Sequence, residues 1–338
     1  MLKKPNAIVT IGASAGGVGA LQDVLARLPS NLPAALFVVL HIPPHTPSRL
    51  PAVLQRATTL SVVAAEDGAE MRPGCIYVAP ADRHLMVDQR GVRVTRGPKE
   101  SRSRPSIDVL FRSAAIAFGP RVIGVVLTGM LDDGTAGLWA VKDRGGRALV
   151  QDPATAEYRS MPESAMAHVD VDAVMSPEGL ADEIARLVQE EPRMDELPAQ
   201  TAMQIENRIA NEENSLAVGV MSLGKVSGYT CPDCHGVLVQ IEEGRIVRFR
   251  CHTGHAFSLK ALLSEINESI DKGLWATMRA VEERIMLLRQ IGTLASQMGD
   301  TGTADVCEAQ ATDAEQRVKP VRELVLDPKF FGHGPESR

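Results

Sequence analysis

Ala7-Ile8-Val9-Thr10-Ile11-Gly12-Ala13-Ser14-Ala15-Gly16-Gly17 runs from an apolar, β-branched segment straight into a cluster of small residues. Residues 7–11 read as a buried strand, and the glycines as the tight turn into an amphipathic helix over 18–28. Strand, turn and helix in that order form the repeating unit of a parallel sheet covered on both faces. Further strand-like runs are predicted at 36–40, 61–65, 75–79, 122–127, 148–151 and 172–175, with helical stretches at 107–118, 134–144 and 177–189. Residues 84–88 and 92–96 alternate around Gln89-Arg90-Gly91, which predicts an antiparallel hairpin at one edge. The expected class is α/β, a doubly wound, mainly parallel sheet with an edge hairpin.

Three polar residues stand where strand-like runs give way to turns: Ser14, His41 at the end of 34–40, and Asp133 after 122–130. In an open α/β sheet that is where the site lies. Gly12-Ala13-Ser14-Ala15-Gly16 fits the nucleophile-elbow pattern G-x-S-x-G, whose small flanking residues let a sharp turn expose the hydroxyl. The Ala15 amide and the dipole of the next helix would then face a developing oxyanion. A glycine-rich phosphate turn is the competing explanation. Against it, Ser14 stands where G-x-G-x-x-G needs its second glycine, and no Asp or Glu occurs between Asp23 and Glu66 to hold a ribose. Alone, His41 before Ile42-Pro43-Pro44 is also explained as a satisfied histidine under a loop. Asp132 and Asp133 both precede a helix, so one of them can serve only as a cap. Together the three predict a serine hydrolase, with Ser14 activated by His41 and the ring oriented by a carboxylate. The chain order serine, histidine, aspartate differs from that of α/β-hydrolases.

Five segments then settle the resemblance: Ile11-Gly12-Ala13-Ser14-Ala15-Gly16-Gly17, His41-Ile42-Pro43-Pro44, Tyr77-Val78-Ala79-Pro80-Ala81-Asp82-Arg83-His84, Arg104-Pro105-Ser106-Ile107-Asp108-Val109-Leu110-Phe111 and Leu127-Thr128-Gly129-Met130-Leu131-Asp132-Asp133-Gly134. In this order they closely resemble the CheB-type protein-glutamate methylesterase of bacterial chemotaxis over roughly residues 5–190. The resemblance implies a doubly wound domain that hydrolyses glutamate γ-methyl esters on chemoreceptor signalling helices and releases methanol, with glutamine deamidation as a related activity. It implies Ser14 as nucleophile, His41 as general base, Asp133 as orienting carboxylate, and the Ala15 and Met130 amides as the oxyanion hole. Asp82 and His84 are implied as pocket residues, with closure of a loop before the hairpin as their structural alternative. Ala15 stands where a hydroxyl residue is often found, and Leu131-Asp132 where Gly-Asn is common, which leaves Asp132 in competition with Asp133. A receiver domain normally precedes this domain in the family; Ser14 lies close to the start of this chain, so control without phosphorylation in cis is expected. A non-catalytic, partner-binding scaffold is the alternative function.

A formal charge of −6 over 338 residues offers no general attraction for nucleic-acid phosphates. No secretory signal core and no apolar run of ~20 residues is present, so neither nucleic acid nor membrane insertion is expected, and a cytoplasmic location is.

The length predicts more than one unit: a catalytic domain over 1–190, a charged, proline-broken linker over 191–199, and a C-terminal region over 200–338. In that region Cys231-Pro232-Asp233-Cys234 is followed after sixteen residues by Cys251-His252-Thr253-Gly254-His255. The spacing predicts a zinc-ribbon-like hairpin over about 228–257, with Cys231, Cys234, Cys251 and His255 as ligands and His252 as the alternative fourth. Four protein ligands leave no open position, so the zinc is expected to be structural and catalysis to need no cofactor. Beyond it, Leu259, Leu263, Ile266, Ile270, Leu274, Met278, Val281, Ile285 and Leu288 form a helical stripe. The stripe is either the core of a small bundle or a face for self-association or a partner.

Overall fold

The computed structural model describes residues 5–44, 48–191, 199–327 and 330. Most of the linker expected at 191–199 lies outside the described residues. In chain order the first elements are β1 (Ala7–Ala13), α1 (Gly17–Arg27), β2 (Ala34–Leu40), α2 (Leu50–Gln55), β3 (Ser61–Ala64), β4 (Cys75–Val78), β5 (His84–Asp88), β6 (Gly91–Thr95) and α3 (Ile107–Phe118). They are followed by β7 (Val122–Val126), α4 (Thr135–Asp143), β8 (Arg147–Gln151), α5 (Ser160–His168), β9 (Ala173–Met175), α6 (Pro177–Leu187) and α7 (Thr201–Ala210). Seven parallel strands make one sheet in the order β3-β4-β2-β1-β7-β8-β9, the doubly wound class expected. The hairpin β5-β6 does not extend this sheet; it forms a two-stranded sheet of its own.

Period-two alternation sorts β1 onto two cores. Val9, Ile11 and Ala13 face Leu21, Val24 and Leu25 of α1 and Ile184 of α6, while Ile8 faces the side covered by Leu110 and Phe111 of α3 and Leu138 of α4. Strand order reverses at β1, which lies between β2 and β7, and this switch point opens a crevice at the carboxyl ends of all three. Gly12 sets how close α3 comes, because the Ile107 side chain occupies the place a Cβ would take. The absence of a side chain at residue 12 therefore brings the N-terminus of α3 to the mouth of the crevice. The short helices α2 and α5 were not apparent in the periodicity: α2 has six residues, and α5 carries little apolar contrast between its faces.

The chain divides into two compact units, Met1–Leu262 and Leu263–Arg338. The first includes a four-stranded antiparallel sheet of β10 (Lys225–Thr230), β11 (Val237–Glu243), β12 (Ile246–Cys251) and β13 (Ala256–Ser258). α7 lies between α3, the β5-β6 hairpin and this sheet: Ala210 packs with Met86 and Val109, Thr95 Oγ1 donates to the Ala210 carbonyl at 2.7 Å, and Glu206 pairs with Arg248 and Arg250 of β12. Helix α8 (Leu259–Gln297) begins in the first unit and continues into the second, where α9 (Thr301–Leu326) packs back on it through Ile285, Ala311 and Ala314. Arg289 pairs with Glu315, and Arg322 with Glu282, across this helical pair.

Candidate active site

Ser14 follows β1, His41 follows β2 and Asp133 follows β7, so adjacent strands carry the three groups to one point. Ser14 Oγ donates to His41 Nδ1 at 3.0 Å, and His41 Nε2 donates to Asp133 Oδ2 at 2.8 Å. The ring is part-exposed, with 19% of its side-chain surface accessible, whereas Asp133 keeps 3%. A hydroxyl, an imidazole and a buried carboxylate in this sequence can pass the hydroxyl proton to the ring while the carboxylate steadies the resulting imidazolium.

Asp133 is seated on the N-terminus of α3. Its oxygens accept the Ile107 amide at 2.8 Å, the Asp108 amide at 3.1 Å and the Ser106 hydroxyl at 2.9 Å. Burial opposes the charge, but the His41 hydrogen bond and these amides outweigh it and hold the Asp133 carboxyl below the ordinary carboxylate value. Asp108, buried beside it, goes the other way: burial and then the Asp133 charge push its carboxyl well above the usual range. The carboxylate of the neighbouring Asp132 accepts the Ser258 hydroxyl at 2.6 Å.

Among the described residues, neither the Ala15 nor the Met130 amide has an intramolecular acceptor. The surrounding backbone is tied down: the Ser14 amide donates to the Thr128 carbonyl at 3.0 Å, and Thr128 Oγ1 contacts the Ala15 and Tyr158 carbonyls at 3.1 and 3.2 Å. Gly129 lies against the nucleophile turn, where a Cβ would meet Met161 Sδ and come within 2.8 Å of Ser14 Cβ. Thr128 and Ser106 thus belong to the site's support. Both stand inside segments quoted above, but nothing in their spacing revealed the role.

The two pocket residues inferred from sequence have different fates. Asp82 is part-exposed and accepts Arg104 Nη2 at 2.6 Å and Arg96 Nη2 at 3.2 Å; the Arg104 guanidinium holds its carboxyl below the usual range. His84 is a correction. It is fully buried, its Nε2 donates to the Pro98 carbonyl at 2.9 Å, and its Nδ1 accepts the Ser106 amide at 3.2 Å. Burial lowers its pKa and favours the neutral ring that this pair of bonds requires. His84 lines no pocket; it holds Ser106 under Asp133.

The family model for CheB methylesterase matches residues 9–184, slightly more than half of the chain. The chain belongs to the CheB methylesterase family. A crystal structure of the Thermotoga maritima CheB methylesterase catalytic domain is 34% identical with a TM-score of 0.52, covering 54% of this chain and 98% of that one. An Anaeromyxobacter dehalogenans protein-glutamate methylesterase/protein-glutamine glutaminase is 42% identical over 180 residues, which is 53% of each chain. A Methanosarcina mazei protein of the same designation is 36% identical over 189 residues, 54% of this chain and 52% of its own. The chain therefore spans about half the length of these two relatives.

The cysteine cluster lies outside the part matched to the CheB methylesterase family. Cys231, Cys234, Cys251 and His255 each offer one ligand atom, all within 4.8 Å of one another. Cys234 and Cys251 sulfurs are 3.6 Å apart, and His255 Nδ1 lies 3.7 and 3.6 Å from the Cys231 and Cys251 sulfurs. Zinc–thiolate bonds of ~2.3 Å at tetrahedral angles require edges of about 3.7 Å, so the donor set and spacing fit a four-coordinate ion. His252 stays out of the group: its ring lies over Gly236, where a Cβ would collide with it.

Proposed function

We propose that this chain is a protein-glutamate methylesterase that works through a Ser14-His41-Asp133 triad. The observation that carries this is the unbroken hydrogen-bonded line from Ser14 Oγ through His41 to a buried, charged Asp133. Ser14 Oγ attacks the γ-ester carbonyl while His41 Nδ1 takes its proton, and the Ala15 and Met130 amides receive the oxyanion. His41 then gives the proton to the departing methoxide, methanol leaves, and a water deprotonated by the same ring hydrolyses the glutamyl-Ser14 ester. A glutamine side chain would follow the same course with ammonia departing. The names of the relatives support both substrates. The implied partner is the methylated signalling helix of a chemoreceptor, and a cytoplasmic location is proposed with it; among the described residues no helix is long and apolar enough to cross a membrane. Asp82 remains part-exposed near Arg96 and Arg104 and is proposed to contact the substrate helix.

Zinc is the ion proposed for the Cys231, Cys234, Cys251 and His255 cluster, where it would supply a cross-link between the turns of the small four-stranded antiparallel sheet. The deciding measurement is methanol release from methylated chemoreceptor. Wild type is expected to release it, and Ser14→Ala to lose roughly 10³-fold or more in kcat with the fold intact. Equal rates for the two proteins would remove the triad proposal.

A further inference from the structure

The antiparallel sheet that carries the cysteine cluster is joined to the catalytic loops at two places, and both lead to Asp133. At the first, β13 pairs with the segment after β6: the Ala256 amide donates to the Lys99 carbonyl at 3.1 Å, and the Ser101 amide donates to the Ala256 carbonyl at 2.8 Å. Two residues further on, Ser258 Oγ donates to Asp132 Oδ1 at 2.6 Å. Asp132 stands in the 130–133 loop, between the Met130 amide and the triad carboxylate. That loop holds Leu131 at φ +63°, a left-handed conformation that a branched side chain adopts only when its surroundings enforce it.

At the second place the metal knuckle itself makes contact. Gly254, at φ +101°, presses on Pro98, Ile209 and Ser215 so closely that a Cβ would lie 2.8 Å from Pro98 Cγ. The Pro98 carbonyl accepts the His84 ring, His84 accepts the Ser106 amide, and the Ser106 hydroxyl donates to Asp133. Arg250, two residues before the knuckle's first turn, is fully buried; it donates to the Gly254 carbonyl at 2.8 Å and pairs with both Glu100 and Glu206. The cluster is thus packed into the catalytic unit.

We propose that the metal-organised hairpin is a positioning element of the esterase, with Ser258 as the residue that fixes the 130–133 loop through Asp132. This rests on the methylesterase function proposed above. The ion orders the knuckle, the knuckle sets β13, and β13 delivers Ser258 to Asp132. Catalysis then depends on an ion that touches no substrate.

Ser258 Oγ also accepts the Ala261 amide and so caps α8, which the test must separate from its contact with Asp132. In the full-length chain, Ser258→Ala is expected to lower kcat about tenfold at unchanged KM, within the ~10²-fold that a displacement of 1 Å can cost. Ser258→Thr keeps both hydrogen bonds and restores kcat. Ser258→Asp keeps an acceptor for Ala261 but sets a second carboxylate against Asp132, and does not restore it. Removal of the ion by a chelator, followed by zinc release to an indicator dye, lowers wild-type kcat by at least the same factor, and amides 130–134 then exchange hydrogen faster, as they do in Ser258→Ala. Wild-type kcat in the Ala variant, rescue by Asp, or full activity of the ion-free protein overturns the proposal. Should wild type release no more methanol than Ser14→Ala, the esterase function has failed instead; exchange at 130–134 then decides alone, and unchanged protection in Ser258→Ala overturns the inference.

Discussion

At position 133 a carboxylate with 3% of its surface exposed stays charged because one ring, three amides and one hydroxyl converge on it. An amide in its place could not receive the imidazole proton side in the same way and would favour the wrong tautomer of His41. Asp133→Asn is expected to lower kcat about 10⁴-fold while the circular dichroism spectrum stays that of wild type. Gly129 is a second sensitive position, because its Cα hydrogen faces Ser14. Gly129→Ala pushes the nucleophile turn away from His41, and steady-state kinetics should show kcat reduced by about one to two orders of magnitude with a smaller change in KM. Residue type and neighbours announced Ser14 and His41. The choice between Asp132 and Asp133 was not announced, since adjacent residues on a turn point in different directions and only the path of α3 says which one faces the ring.

Helix α7 shows how an element can carry a role that its own pattern hides. Read alone, residues 201–210 are a polar amphipathic helix. In the folded chain its Glu206 is 1% exposed and accepts Arg248 at 2.7 and 2.9 Å and Arg250 at 2.7 Å, with Arg112 of α3 3.8 Å away. Glu100 completes the cluster by accepting Arg112 at 2.7 Å, and Glu243 does so by pairing with Arg248 at 2.5 Å. Three arginines and three glutamates thus neutralise one another between α3, α7 and the antiparallel sheet. Burial opposes the Glu206 charge, but Arg248, Arg250 and Arg112 together drive its carboxyl well below the ordinary value. Glu206→Gln leaves an excess of buried positive charge and is expected to cost about 3–5 kcal/mol in urea unfolding at neutral pH. A carboxyl whose folded pKa is depressed stabilises above its unfolded value of ~4.3 and loses that contribution as pH falls through the lower folded value. The gap between wild type and Glu206→Gln should therefore hold from neutral pH to about 5 and close in stronger acid; a gap that widens on acidification would contradict the assignment.

The whole molecule divides after Leu262, and the first unit holds the triad, the charged cluster and the cysteine cluster together. A chain ended after residue 262 is accordingly expected to keep methanol release within about twofold of the full chain. One ended after residue 190 loses Glu206, Arg248, Arg250 and Ser258 and should melt lower and turn over more slowly, which a thermal melt and the same assay would show. Sequence by itself determined the strands of the seven-stranded sheet, the positions of Ser14 and His41 at strand ends, and the cysteine spacing, because each is a regularity among near neighbours. Alternation buries a strand, small residues permit a turn, and C-x₂-C presents two thiolates to one point. Only the tertiary structure decided that Asp133 meets the ring, that His84 is a prop and not a pocket wall, and that the four-stranded sheet of residues 225–258 is seated against the catalytic loops. Those outcomes depend on which surfaces meet: Glu100 and Arg250 stand far apart along the chain, and a charge in a polar helix carries no mark of the partner that will bury it.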